Sequence, residues 1–212
     1  MSHDLDSTDK EISVPILYFD MQGSSLMVND HLAQEIFDNG YFGQWTSKDS
    51  LVLEPEEVLL LMDRKRIIVM NSTTNQKITS SELVTHFTKI NKTFWSRYLV
   101  YKDLRNRGYV VRIGTQITAP FRIYSRGGKP GESISKKVIF PLPEGEDLDL
   151  DFLDQLVNQS KIDRKTLLLS VVDRLGDVTY YQASQLELER NELEYEYRDE
   201  LPQVNQENKE EN

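Results

Sequence analysis

Residues 94–114, FWSRYLVYKDLRNRGYVVRIG, narrow the possible folds more than any other stretch of the chain. Phe94, Tyr98, Tyr101 and Leu104 recur at helical spacing and turn the charged residues between them outward. Gly108 stops that helix, and YVVRIG opens a run of strands that continues with FRIY (121–124) and KKVIFPL (136–142). DLDLDFLDQLVNQS (147–160) reads as a helix whose first-turn acids suit the macrodipole. KTLLLSVVD (165–173) and VTYYQ (178–182) are two further strands, joined through RLGD. Residues 91–183 therefore read as one α/β unit.

A smaller mixed α/β unit precedes it, at 13–90. VPILYFD (14–20) and SSLMV (24–28), joined by MQG, predict a short hairpin. NDHLAQEIFDNG (29–40) predicts a helix with Asn29 or Asp30 as N-cap and Gly40 as its stop. DSLVLEPEEVLLLMDRKRIIVM (49–70) predicts a strand, a helix with Pro55 in its first turn, and a strand ending at Met70. TSSELVTHFTKI (79–90) is a short helix capped by Thr79 or Ser80. Polar, acidic residues 1–12 predict a disordered N-terminus, and 184–212 an acidic, disordered-looking tail.

Composition bounds the chemistry. The 212 residues contain no cysteine, which removes disulfides, thiolate metal sites and a cysteine nucleophile. No apolar run is long enough to span a bilayer, and the acidic N-terminus lacks a signal-peptide pattern. A cytoplasmic protein without membrane contact is expected. The net charge of −10 argues against nucleic acid only superficially. Residues 184–212 hold ten acidic and three basic side chains, so −7 belongs to the tail and −3 to everything before it. Within APFRIYSRGGKPGES (119–133), a strand ends at Tyr124 and a cationic, glycine-rich loop follows. Arg122, Arg126, Lys129, Lys136 and Lys137 are the candidates for a basic face that contacts phosphate.

Several stretches, in order over about residues 36–183, resemble the archaeal tRNA-splicing (tRNA-intron) endonucleases. IFDNGYFGQWTSKDSLVLEPEEVLLLMDRKRIIV is similar to the family's Gly-Tyr turn, strand and acidic helix. FWSRYLVYKDLRNRGYVVRIG is similar to its helix leading into Arg-Gly-Tyr-Val-Val, and LLLSVVDRLGDVTYY to its last two strands and the acidic loop between them. The resemblance implies an N-terminal mixed domain, a C-terminal domain like a restriction endonuclease, and precursor tRNA as substrate. It also implies cleavage at bulge-helix-bulge sites without metal or cofactor, leaving a 2′,3′-cyclic phosphate and a 5′-hydroxyl.

Such cleavage needs a base for the 2′-hydroxyl proton, an acid for the leaving oxygen and a cation for the phosphorane. The family uses Tyr, His and Lys. Tyr124 and Lys165 align with the first and last, although a strand-end tyrosine and a solvated lysine are the commoner meanings of such residues. The His-Ser position reads Glu132-Ser133. The histidines, His3, His31 and His86, all lie upstream of the nuclease-like unit. A carboxyl group in water is ionised at neutral pH, and Lys129, Lys136 and Lys137 nearby favour that form, so Glu132 is a poor proton donor. Losing the acid costs roughly 10²–10⁴ in rate. Two arginines that grip a flipped base in active relatives fall, by ungapped count, at Asn158 and Ala183.

The resemblance therefore implies a degenerate, structural subunit or half-repeat that works with a His-containing catalytic chain. A lyase with a substitute acid and a non-enzymatic RNA-binding scaffold are the alternatives. The family pairs subunits through the final strand, here Val178, Thr179, Tyr180 and Tyr181, and through an acidic loop, here Asp173 and Asp177.

Overall fold

The computed structural model describes residues 14–185, apart from 22, 24, 25, 30, 115 and 117. The first half runs β1 (Ile16–Phe19), β2 (Leu26–Asn29), α1 (His31–Asp38), β3 (Gln44–Ser47), β4 (Ser50–Leu53), α2 (Pro55–Asp63), β5 (Ile68–Asn71) and α3 (Ser80–Ile90). The second runs α4 (Phe94–Asn106), β6 (Val110–Ile113), β7 (Phe121–Tyr124), β8 (Lys137–Pro143), α5 (Leu150–Ile162), β9 (Thr166–Val172) and β10 (Val178–Ala183). The fold is mixed α/β throughout, as its sequence pattern implies. The acidic tail from 186 onward, the N-terminal 13 residues and the Asp30 capping position lie outside the described residues.

The expected hairpin does not form. β1 lies parallel to β5, with Ile16 beside Ile68 and Phe19 beside Asn71, whereas β2 lies antiparallel to β4 in another sheet. Alternation of apolar residues specifies a strand and its buried face, but not the strand it pairs with. β3 was not legible either, because QWTS offers one aromatic and no alternation; it completes a three-stranded sheet ordered β2-β4-β3.

Helix ends follow local chemistry. Thr79 Oγ1 accepts from Glu82 N at 3.2 Å while Glu82 Oε2 accepts from Thr79 N at 2.8 Å, a reciprocal capping box for α3. At α5, Asp149 Oδ1 accepts from Phe152 N at 2.9 Å. Pro55 opens α2, where its missing N–H is no loss.

One apolar core crosses from the first half into the second, joining Leu59, Leu61 and Phe87 to Phe94, Tyr101, Val111 and Phe121. Polar contacts stitch the same seam. Arg97 Nε lies 2.7 Å from Glu56 Oε1, and the Tyr98 hydroxyl donates to Asp63. Arg105 Nη2 donates to Gly40 O at 2.7 Å and lies 4.0 Å over the Phe42 ring. Gly43 is gripped from both halves, its N donating to Glu57 Oε1 at 2.9 Å and its carbonyl accepting from Arg112. Only glycine serves there: φ is +76°, and a Cβ would sit 2.7 Å from Leu51 Cγ.

Candidate functional site

The second half is built on a five-stranded sheet ordered β10-β9-β8-β7-β6. β7 alternates, with Phe121 and Ile123 buried and Arg122 and Tyr124 on the other face. Tyr124 closes that strand beside Val110, and β8 begins beside it with Ile123 paired to Lys137. Lys137 in turn pairs Thr166, so Lys165 falls at the same end of the sheet. Tyr124 and Lys165 are thus two strands apart, about 10 Å along the sheet at ~4.8 Å per strand.

They line different hollows. Tyr124 borders a cleft of about 670 Å³ together with Tyr109, Arg126, Lys136 and Lys137. Arg126 lies 5.7 Å from the Tyr109 ring centroid. Lys165 is half-buried, its Nζ 3.5 Å from Asp163 O, and borders a cleft of about 290 Å³ with Ser160 and Ala183. Lys136 lies between, its carbonyl accepting from Thr166 N at 2.9 Å. Tyr109 was not among the residues read from the sequence. Its position immediately after the Gly108 stop and before β6 was the available signal.

Glu132 stands away from both hollows. It sits on the loop after β7, its side chain 73% exposed and its nearest cation, Lys129 Nζ, at 3.8 Å. The loop is held by its own backbone: Ser133 N donates to Lys129 O at 2.8 Å, and Lys129 N donates to Ser133 Oγ at 3.2 Å. Arg122 Nη2 reaches Gln116 Oε1 at 3.4 Å, and its Nε is buried without a hydrogen-bond partner among the described residues. Asn158, on α5, donates back to Asp154 at 2.7 Å, one turn earlier. His86 lies in the first half, 3.1 Å from Gly23 O and edge-on to Phe19. Among the described residues, no group of His, Asp or Glu could hold a metal ion.

The sheet's far edge is β10, which among the described residues has β9 as its one neighbour. Val178 and Tyr180 turn inward and Thr179 and Tyr181 outward. Tyr180 is committed within the chain: its hydroxyl donates to Asp103 Oδ2 at 2.7 Å. Burial and the Asp103 hydrogen bond together raise the Tyr180 phenol above the usual tyrosine range. Before β10, Asp173 Oδ1 accepts from Leu175 N at 2.8 Å and Asp177 N at 2.9 Å, folding the loop around Gly176 at φ +90°. Asp177 remains exposed and Leu175 is 90% exposed.

A small mixed unit leading into a five-stranded sheet, with tyrosines and cations gathered at one end, defines a two-part, nuclease-like α/β protein. Comparison supplies the family. Residues 18–84 match the tRNA intron endonuclease N-terminal domain, and residues 94–180 the tRNA intron endonuclease catalytic C-terminal domain. The chain is 31% identical to the tRNA-splicing endonuclease of Methanothermobacter thermautotrophicus over 71% of its own length and 85% of that protein. It is 30% identical to that of Thermococcus gammatolerans, over 79% of this chain and 96% of the relative. A third, from Methanosarcina acetivorans, is 30% identical over 76% of this chain but only 45% of its own, longer length. The chain belongs to the tRNA intron endonuclease family. No helix among the described residues is long and apolar enough to cross a membrane.

Proposed function

We propose that this chain is a structural subunit of a tRNA-intron endonuclease, acting on precursor tRNA at bulge-helix-bulge sites beside a His-containing catalytic chain. The observation that carries the reading is at Glu132. Where the family resemblance implies the leaving-group acid, an exposed carboxyl side chain points to solvent beside Lys129. Glu132 lines neither the hollow of Tyr124 nor that of Lys165, so it does not stand where an acid would meet the leaving oxygen. Tyr124 and Lys165, assigned as base and phosphorane cation by the resemblance, border separate hollows, which also supports a site that has lost its concerted chemistry. In this reading Arg122, Arg126, Lys129, Lys136 and Lys137 contact phosphate. The free edge of β10 and the exposed Asp177 meet the partner subunit.

Single-turnover cleavage of a bulge-helix-bulge RNA, without added metal, tests this. The chain alone should cut negligibly. With a catalytic partner it should support cleavage that leaves 2′,3′-cyclic phosphate ends, and Tyr124→Phe or Lys165→Ala should hardly change the rate. Full activity of the isolated chain, abolished by Tyr124→Phe, would overturn the reading and return Glu132 to consideration as the acid.

A further inference from the structure

We propose that Arg64, Lys65, Arg66 and Arg105, where the C-terminal ends of α1, α2 and α4 meet, form a second phosphate-binding patch. It carries an RNA strand from the cleft beside Tyr124 onto the first half of the molecule. RNA as the ligand rests on the function proposed above, but the patch uses different residues on different elements and can fail by itself.

Arginines converge here on neutral oxygens. Arg64 Nη2 donates to Asn106 Oδ1 at 2.9 Å, at the last residue of α4. Arg66 Nη1 donates to Asn39 O at 3.1 Å and Arg105 Nη2 to Gly40 O at 2.7 Å, just past the end of α1. Arg66 and Arg105 share the Phe42 ring, at 5.8 and 4.0 Å from its centroid. The guanidinium groups are close enough to repel: burial first, and then Arg105 and Arg66, hold the Arg64 group below its ordinary value. The carboxylates at these helix ends are engaged with other groups. Asp38 Oδ1 accepts from Gln34 Nε2, Asp63 Oδ2 from Lys102 and the Tyr98 hydroxyl, and Asp103 Oδ2 from Arg107 and Tyr180.

Helix ends account for part of this charge. Each C-terminus carries about half a negative charge, so three ends offset roughly half of what three arginines supply. Lys65 adds to the excess. Arg66 N donates to Leu61 O and Lys65 N to Met62 O, both at 2.8 Å, the pattern of a helix stop that puts Lys65 at φ +55°. Glycine or asparagine enters that left-handed region at less cost than lysine. Lysine is thus the poorer choice for the stop, yet it completes the run Arg64-Lys65-Arg66, of which Arg64 and Lys65 are exposed. A strained position that holds charge points to a ligand for that charge.

The patch adjoins the cleft. α4 ends at Asn106, and Arg126 packs near the residues that follow. A Cβ on Gly108 would lie 4.0 Å from Arg126 Nε, and the Arg126 guanidinium carbon is 5.7 Å from the Tyr109 ring centroid. Asn106, which accepts from Arg64, and Tyr109, which borders the cleft, are three residues apart, at most about 10 Å. Phosphates along one strand can therefore meet Lys136 and Lys137 in the cleft and the arginines at the helix ends without a break. A guanidinium that spends one N–H on a carbonyl keeps others for phosphate.

The salt dependence of bulge-helix-bulge RNA binding by the full chain tests this. Arg64→Gln/Lys65→Asn removes two cations while keeping an N–H donor at 64 and a residue suited to positive φ at 65. It should lower the slope of log affinity against log salt by about 1.5, from roughly 0.7–0.9 per phosphate contact. Combined with Lys136→Ala/Lys137→Ala, the reductions should add, because separate contacts release separate counterions. Lys77→Ala/Lys89→Ala, an equal charge change elsewhere in the first half, should leave the slope unchanged. Lys65→Asn alone should lower it by about 0.8 with a thermal midpoint no lower than that of the wild type, which separates lost binding from lost folding. A slope that ignores the patch variants but still falls with Lys136→Ala/Lys137→Ala overturns the patch and leaves the proposed function standing. A slope that ignores both pairs overturns both. Unchanged RNA binding with lost assembly on a catalytic relative would make the patch a protein interface, which also overturns the proposal. A patch effect without a cleft effect would keep the phosphate patch and count against the cleft.

Discussion

Arg97 Nε sits 2.7 Å from the Glu56 carboxylate, which is almost completely buried, and the pair fastens α4 to α2 across the seam between the two halves. The guanidinium also lies 5.2 Å from the Phe121 ring centroid. Removing one partner of a buried pair leaves an unpaired buried charge. Arg97→Met should therefore cost about 3 kcal/mol in urea unfolding, the low end for such a pair because Arg97 retains some exposure. Glu56→Leu/Arg97→Met together should recover most of that loss. Equal destabilisation by the double variant would assign the cost to packing rather than charge.

Glu57 gives a pH dependence. Burial raises its carboxyl to about 7, against the opposing pull of hydrogen bonds from Glu54 N and Gly43 N. In the unfolded chain the group has its ordinary value, 4.5. Between those values Glu57 binds more proton in the folded protein, so its contribution to stability is greatest below about 4.5 and falls as pH rises to about 7. The full shift corresponds to roughly 3 kcal/mol at most. Unfolding free energies measured from pH 4.5 to 7.5 should lose much of this decline in Glu57→Gln, the direct check on the source.

Lys136 and Lys137 flank Tyr124 in the larger cleft. In the proposed RNA role, each lysine replaced by alanine should lower the slope of log affinity against log salt by about 1, weakening binding similarly for unrelated RNA sequences. Unchanged slopes would remove these lysines from the phosphate-contacting face. Lys77→Ala, in the first half, serves as the control.

The outer edge of β10 predicts assembly. Thr179 and Tyr181 point outward, Tyr181 being 56% exposed. Placing lysine at both positions puts repelling charge on any edge-to-edge pair without touching Tyr180, which is bound to Asp103. Sedimentation at micromolar concentration should show the wild type as a dimer and Thr179→Lys/Tyr181→Lys as monomer, with unfolding free energy within about 0.5 kcal/mol. A wild-type monomer, alone and mixed with a catalytic relative, would sink the assembly claim.

The second half was the more legible. Phe94, Tyr98, Tyr101 and Leu104 repeat at one helical face, Gly108 ends it, and β8 and β9 run to seven residues each. In the first half the strands are four residues each, too short to state their partners, and β1 found β5 across 48 intervening residues rather than β2 nearby. Side-chain destinations were less legible still. Nothing local announces that Arg112 crosses to Gly43, or that Tyr180 turns back to Asp103, since each contact is set by how distant elements stack. At the site, the order of Tyr124 and the cationic loop could be read along the chain. The separation of Tyr124 from Lys165 is a property of strand order, which the chain does not spell out.

The continuous core has a consequence for how the protein can be taken apart. A cut between α3 and α4 would lay bare Phe87 and Leu59 on one fragment and Phe94, Tyr101 and Phe121 on the other. Each fragment would present the sticky face that normally lies inside, and Glu56 would lose its arginine. Neither fragment is a cassette that can be lifted out and grafted elsewhere. For amide exchange, the same continuity makes Leu61 in α2 and Val111 in β6 members of one opening event, with protection lost together when the whole molecule unfolds.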